Sequence, residues 1–148
     1  MTRIRAINWF VGRALKRLVH EELSYQIRGL LMEVHNTLGP GFREETYKIA
    51  VLAEAQRRRL NVDREVSIDV AYKGQVIDQF RLDLVVERSV ILELKAVDEL
   101  HPRHRAQLLS YLRASGLQVG LLVNFGNDRL EIIRLVNEKH SEKSASSA

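Results

Sequence analysis

Asp83, Glu93 and Lys95 are the residues whose types and spacing could do chemistry together. They lie in a stretch that reads as two strands joined by a tight turn. Strand side chains alternate between two faces. Phe80, Leu82, Leu84 and Val86 would share one face of the first arm, with Arg81, Asp83 and Val85 on the other. On the second arm Val90, Leu92 and Leu94 oppose Ile91, Glu93 and Lys95. Charges on the outer face of a solvated hairpin are the ordinary explanation of such a pattern. Register sharpens it, because a slip of one residue would turn a whole strand over. A loop of Glu87, Arg88 and Ser89 sets Val86 against Val90, Leu84 against Leu92 and Leu82 against Leu94. Asp83 then faces Glu93, and Arg81 faces Lys95. Directly opposed Cβ atoms lie about 4.5–5.5 Å apart, so two carboxylates there repel unless a cation or a proton intervenes. An acidic couple beside a lysine could hold a divalent ion and activate a water. Oxygen ligands favour magnesium or manganese.

The elements that must position this group follow from periodicity. A helix is expected over residues 22–36, on the spacing of Leu23, Ile27, Leu30, Leu31 and Val34. Gly39, Pro40 and Gly41 force a turn. A second helix, over 43–59, carries Glu44 near its start, where a carboxylate suits the helix dipole, with Tyr47 and Val51 on the same face. Strands are expected over 62–72, 75–86 and 90–96, the first two joined by the turn at Lys73 and Gly74. Pro102 suits the first turn of a helix that Gly116 ends, and Gln107 and Tyr111 share one of its faces. Strands over 117–125 and 130–137 complete the set. Helices, three antiparallel strands, a helix and two strands make a mixed α/β sheet flanked by helices.

The composition is that of an ordinary globular chain: 148 residues, 45% hydrophobic and 28% charged. Without cysteine, disulfides and thiolate metal sites are excluded, and a cytoplasmic location is the expectation. No apolar run is long enough for a membrane span. The net charge of +4 is unevenly spread. Arg3, Arg5, Arg13, Lys16 and Arg17 lie in residues 1–20 beside no acid, which leaves 18 basic against 19 acidic residues in the rest. Residues 1–20 therefore read as a basic amphipathic extension, 21–137 as the folded domain and 138–148 as a disordered tail. Local basic clusters are Arg57-Arg58-Arg59 and Arg103-His104-Arg105. His101 and His104 lack the further ligands a zinc site needs and are read as solvated or phosphate-contacting.

Asp83, nine intervening residues and Glu93-Leu94-Lys95 resemble the core motif of the PD-(D/E)XK nuclease superfamily, with Leu82 where the motif has proline. Gly41, Glu44 and Tyr47 resemble the signature of the bacterial GxxExxY proteins. Gln107 and Tyr111 are similar to the Q-x-x-x-Y element of RecB-like nucleases, and residues 120–126 to the strand that closes the domain. The resemblance implies a restriction-endonuclease-like fold and a metal-dependent nuclease that hydrolyses phosphodiester bonds, with DNA as the expected substrate and RNA as the alternative. It implies Mg²⁺ or Mn²⁺ held by Glu44, Asp83, Glu93 and the Leu94 carbonyl, with Lys95 orienting the attacking water. Gln107 and Tyr111 would complete the catalytic set, contacting the phosphate backbone or buttressing the ligands. The alternative is a module of the same fold that binds nucleic acid or a protein partner with little or no turnover.

Overall fold

The structure, a computed structural model, describes the backbone of residues 5–137 and the side chains of residues 20–137. The expectations for the side chains of residues 1–19 and for the tail at 138–148 lie outside the described residues. The elements run α1 (Arg5–Leu38), α2 (Glu44–Arg57), β1 (Val62–Tyr72), β2 (Gln75–Val86), β3 (Val90–Lys95), α3 (Pro102–Ser115), β4 (Val119–Asn124) and β5 (Glu131–Val136). The first helix is longer than expected. No proline interrupts residues 5–38, so the helix expected from residue 22 continues N-terminally as one piece of 34 residues.

The five strands form one sheet in the order β1-β2-β3-β4-β5. β3 and β4 are parallel, joined by the crossover through α3, and the other neighbours are antiparallel. This is the mixed sheet with flanking helices of a restriction-endonuclease-like α/β fold. β4 is buried along its whole length and β3 from Val90 to Leu94, as central strands covered on both faces must be. Leu84, Val86, Leu92, Leu94, Leu121 and Val123 pack under α1 and α2, against Ile27, Leu31, Tyr47 and Val51. Leu82, Val85, Ile91 and Leu122 pack under α3, against Leu108 and Leu112. Among the described residues no helix is long and apolar enough to cross a membrane.

The alternation expected along β2 breaks in the middle. Leu84 and Val86 join the core under α1 and α2, but Leu82 and Phe80 join the one under α3. β1 does the same, with Val62 on one side and Val66 and Ile68 on the other. The cause lies between them. Glu65 has a φ of 56°, a left-handed conformation that twists a strand sharply. The registered pairs step from Arg64–Leu84 to Val66–Leu82 without a Glu65–Asp83 rung. The hairpin turns over at this point, and Asp83 sits on the crossing.

Candidate active site

The register between the two arms is the expected one, with Val86 on Val90, Val85 on Ile91 and Leu84 on Leu92. The ladder ends there. Asp83 and Glu93 stand one step beyond its last rung, where β2 turns away from β3, and the expected pairings Leu82–Leu94 and Arg81–Lys95 do not form a ladder. Arg81 instead lies exposed, with its guanidinium 3.9 Å from Glu65. The expected Asp83–Glu93 pairing is therefore not a rung of the ladder either. Across the gap beyond the last rung the two carboxylates still feel each other: the Asp83 charge is one of the influences that raise the pKa of Glu93.

Glu93 is the most deeply buried acid among the described residues. Only 4% of it is exposed, in a strand otherwise apolar from Val90 to Leu94. Burial, reinforced by the charges of Asp83 and Glu44, pushes its pKa up to about 7, against the pull of Lys95 and Lys48. Glu44 comes from the first turn of α2 and is half-buried. Between it and Asp83 stands a residue that the sequence reading passed over. Lys48 Nζ lies 3.2 Å from Glu44 Oε1 and 3.3 Å from Asp83 Oδ1. Burial works against the Lys48 ammonium, but the two carboxylates outweigh it and hold its pKa above the usual lysine value. One signal was available: Lys48 follows Glu44 by four residues, the spacing that puts two side chains on one helix face.

The turn that precedes α2 is held by Tyr47. The buried Tyr47 ring stacks on Phe125 with centroids 4.5 Å apart. Its hydroxyl donates to the Gly39 carbonyl at 2.6 Å and accepts from the Phe42 amide at 3.3 Å. The tyrosine thereby clamps the chain between Gly39 and Phe42 and fixes where the helix carrying Glu44 and Lys48 begins.

The far side of the gap is held by the ends of β3 and β4. The Phe125 amide donates to the Lys95 carbonyl at 2.8 Å. Successive carbonyls of a strand point to opposite sides, so the Leu94 carbonyl faces the side where the β2 ladder has ended. The fully buried Asn124 side chain accepts from the Val97 and Gly126 amides, both at 3.0 Å, and donates to the Val97 carbonyl at 2.9 Å. A polar residue ending an apolar strand was the signal for this latch.

On α3, Tyr111 is half-buried and stacks on Phe80 at 4.4 Å. Burial raises its hydroxyl pKa, and so do the charges of Glu93 and Asp83, which puts the ring within electrostatic reach of the acids. Gln107, one turn earlier, is exposed. His101 and His104 start the helix. The His101 ring accepts from the Arg103 amide, and the His104 ring from the His101 amide, both at 3.1 Å. This capping box uses the donors that a helix N-terminus leaves unpaired. It adds a structural task to the two histidines, which stay solvent-accessible at the helix start. Burial lowers the His104 pKa, and the nearby positive charge of Lys95 and His101 acts in the same direction.

Among the described residues no three acids or histidines stand close enough to hold an ion as they are. The donor chemistry nevertheless fits one. Carboxylates from α2, β2 and β3 surround the gap, Glu93 is buried at a cost that a cation would relieve, and a cation already bridges two of the acids in the form of the Lys48 ammonium. Glu44, Asp83, Glu93 and the Leu94 carbonyl supply oxygen donors that could hold a divalent ion.

No curated protein is similar enough to this chain to count as a relative. The crystal structure of SSO0001 is similar in fold, with a TM-score of 0.50 and 20% sequence identity. The likeness covers 69% of this chain and spans 57% of that one. A family profile matches residues 21–135, nearly the whole of the described structure after the N-terminal half of α1. The match takes in both strands of the acidic gap and both helices that border it, and the chain belongs to the PD-(D/E)XK nuclease superfamily.

Proposed function

We propose that residues 21–137 are a metal-dependent nuclease of the GxxExxY type that hydrolyses phosphodiester bonds in DNA. The observation that carries this reading is Glu93. An acid kept in a buried apolar strand, beside two further acids and two lysines, costs stability and has no packing use. Phosphodiester hydrolysis needs a strong nucleophile at neutral pH and positive charge against the pentacovalent phosphate. A bound Mg²⁺ or Mn²⁺ supplies both, by lowering the pKa of a water and by neutralising phosphate oxygens. Glu44, Asp83, Glu93 and the Leu94 carbonyl would hold it. Lys95, beyond Glu93 on β3, orients the attacking water and meets the charge that develops on the phosphate. Tyr111 and Gln107, on the helix that also carries Arg103, would contact the phosphate backbone or buttress the ligands.

The test is cleavage of linear, circular and single-stranded DNA, and of RNA, with Mg²⁺, Mn²⁺ or EDTA. Asp83→Asn and Lys95→Ala should each lose at least about 100-fold in rate, the size of effect expected when one transition-state interaction is removed. Only Asp83→Asn should also weaken metal binding. A protein that binds neither ion and cuts no nucleic acid would remove the nuclease reading. A second reading, a binding module of the same fold with little turnover, is favoured by one observation: the Lys48 ammonium already satisfies Glu44 and Asp83. It predicts nucleic-acid or protein binding that EDTA leaves unchanged.

A further inference from the structure

Glu44 and Asp83 belong to different elements, and the Lys48 ammonium joins them. The side chain of Lys48 is only 15% exposed, and its helix is anchored by Tyr47 beside it. Its two N–O distances, 3.2 and 3.3 Å, are those of an ammonium shared between two acids. A magnesium ion binds carboxylate oxygens directly, so one that took both acids would have to displace the Lys48 ammonium. The ammonium and a divalent ion cannot both sit between the same two oxygens, because each would repel the other at short range. A lysine has a flexible four-carbon stem and can swing its charge away.

From this geometry we infer that Lys48 is a built-in counter-ion: it holds Glu44 and Asp83 together in the metal-free protein, competes with a divalent cation for them, and sets the affinity of the site. The inference rests on the proposed nuclease reading, since it takes Glu44 and Asp83 as metal-binding groups. Lys48 is in this sense a positioning residue, acting through the two acids. It differs from Lys95, which follows Glu93 on β3 and is not paired with Glu44 or Asp83. The site therefore has two lysines with separate tasks, one for the acids and one for the reacting groups.

The experiment compares the full chain with Lys48→Met, Lys48→Gln and Lys48→Arg, by calorimetric titration with Mn²⁺ and by thermal melts in EDTA and in Mn²⁺. Lys48→Met removes the competing charge and should bind Mn²⁺ about tenfold more tightly, a change of about 1.4 kcal/mol. It should melt at a lower temperature in EDTA and gain more from Mn²⁺ than the wild type does. Lys48→Gln keeps a donor without the charge and should bind as Lys48→Met does; it replaces that variant if Lys48→Met does not fold. Lys48→Arg keeps a cation and should stay within about threefold of the wild type, less than 0.7 kcal/mol. A lysine with only a structural role would lower the melting temperature without raising the affinity. If the wild type binds Mn²⁺ and the uncharged variants bind it equally or more weakly, the counter-ion role is overturned and the nuclease reading stands. If neither the wild type nor the uncharged variants bind Mn²⁺, both fall.

Discussion

Asp69 and Glu93 are both acids on strands of the same sheet, and the protein treats them in opposite ways. Asp69 lies on the outer half of the β1–β2 hairpin, in water, where it accepts a hydrogen bond from the Gln79 side chain at 2.9 Å. Around it Tyr72, Val76 and Ile77 are also exposed. Glu93 lies on β3, covered on both faces, with its pKa raised to about 7. Alternation along a strand marks the two acids alike. Only burial separates them, and burial is what gives an acid a reason to be functional: Asp69 costs nothing to keep, whereas Glu93 is a standing penalty. The outer hairpin is a surface; the inner ends of β2, β3 and β4 form the candidate site.

The sharpest way to test this contrast uses two glycines. Gly126 follows β4, and a Cβ there would collide with the Val97 backbone, its carbonyl oxygen first. Gly74, at the hairpin tip, has a φ of 82° but open space around it. Gly126→Ala should destabilise by more than about 3 kcal/mol, or prevent folding, because the latch between the ends of β3 and β4 must come apart. Gly74→Ala should cost only about 1 kcal/mol, the strain of a left-handed alanine. Denaturant unfolding of the two variants measures both; equal losses would mean that the loops around the gap are no more tightly built than the hairpin tip.

The next effect is electrostatic. A carboxyl whose pKa is higher in the folded than in the unfolded chain binds its proton more tightly when folded. Its contribution is therefore fully present below the unfolded value and is lost as pH rises through the folded one. For Glu93 the window runs from 4.5 to about 7. The metal-free protein should lose roughly 2–3 kcal/mol across it from this group. Glu93→Gln should flatten that part of the profile, Asp69→Asn should not, and Mn²⁺ should restore stability at pH 7 and above. Urea unfolding in EDTA from pH 4.5 to 8 checks the sign; stability that rises through this window in the wild type and not in Glu93→Gln would contradict the burial of the acid.

The smallest contrast is between two tyrosines. Tyr47→Phe removes a hydroxyl that donates to Gly39 and accepts from Phe42. It should cost about 1–2 kcal/mol, since the Gly39 carbonyl loses its partner, and should loosen the start of α2. Tyr72→Phe, on an exposed ring, should stay within about 0.5 kcal/mol. Thermal melts of both variants decide whether the Gly41-Glu44-Tyr47 spacing serves the turn or only the helix face.

Most of the elements were legible in the sequence because they rest on local chemistry. Periods of two and 3.6 residues, the turn at Lys73 and Gly74, Pro102 at a helix start and Gly116 at its end each act within a few residues, and every expected strand and helix exists. The register of β2 on β3 was legible beside the turn, from Val86–Val90 to Leu84–Leu92, but not beyond it, where the expected Asp83–Glu93 pairing does not form. The carboxylates and Lys95 stood out by type and spacing. Tertiary structure decided the rest. The turn-over at Glu65 and Asp83 sends Leu82 and Leu84 to opposite cores, which no alternation rule contains, because it goes with a left-handed backbone at Glu65 that the residue type does not announce. The burial of Glu93 depends on β4 and α3 arriving from later in the chain. Lys48 lay four residues from Glu44 in plain sight, but its contact with Asp83 joins residues 35 positions apart. Local periodicity is set by the backbone, so sequence reports it; a charge acquires its meaning from what surrounds it, and only the packed chain supplies the surroundings.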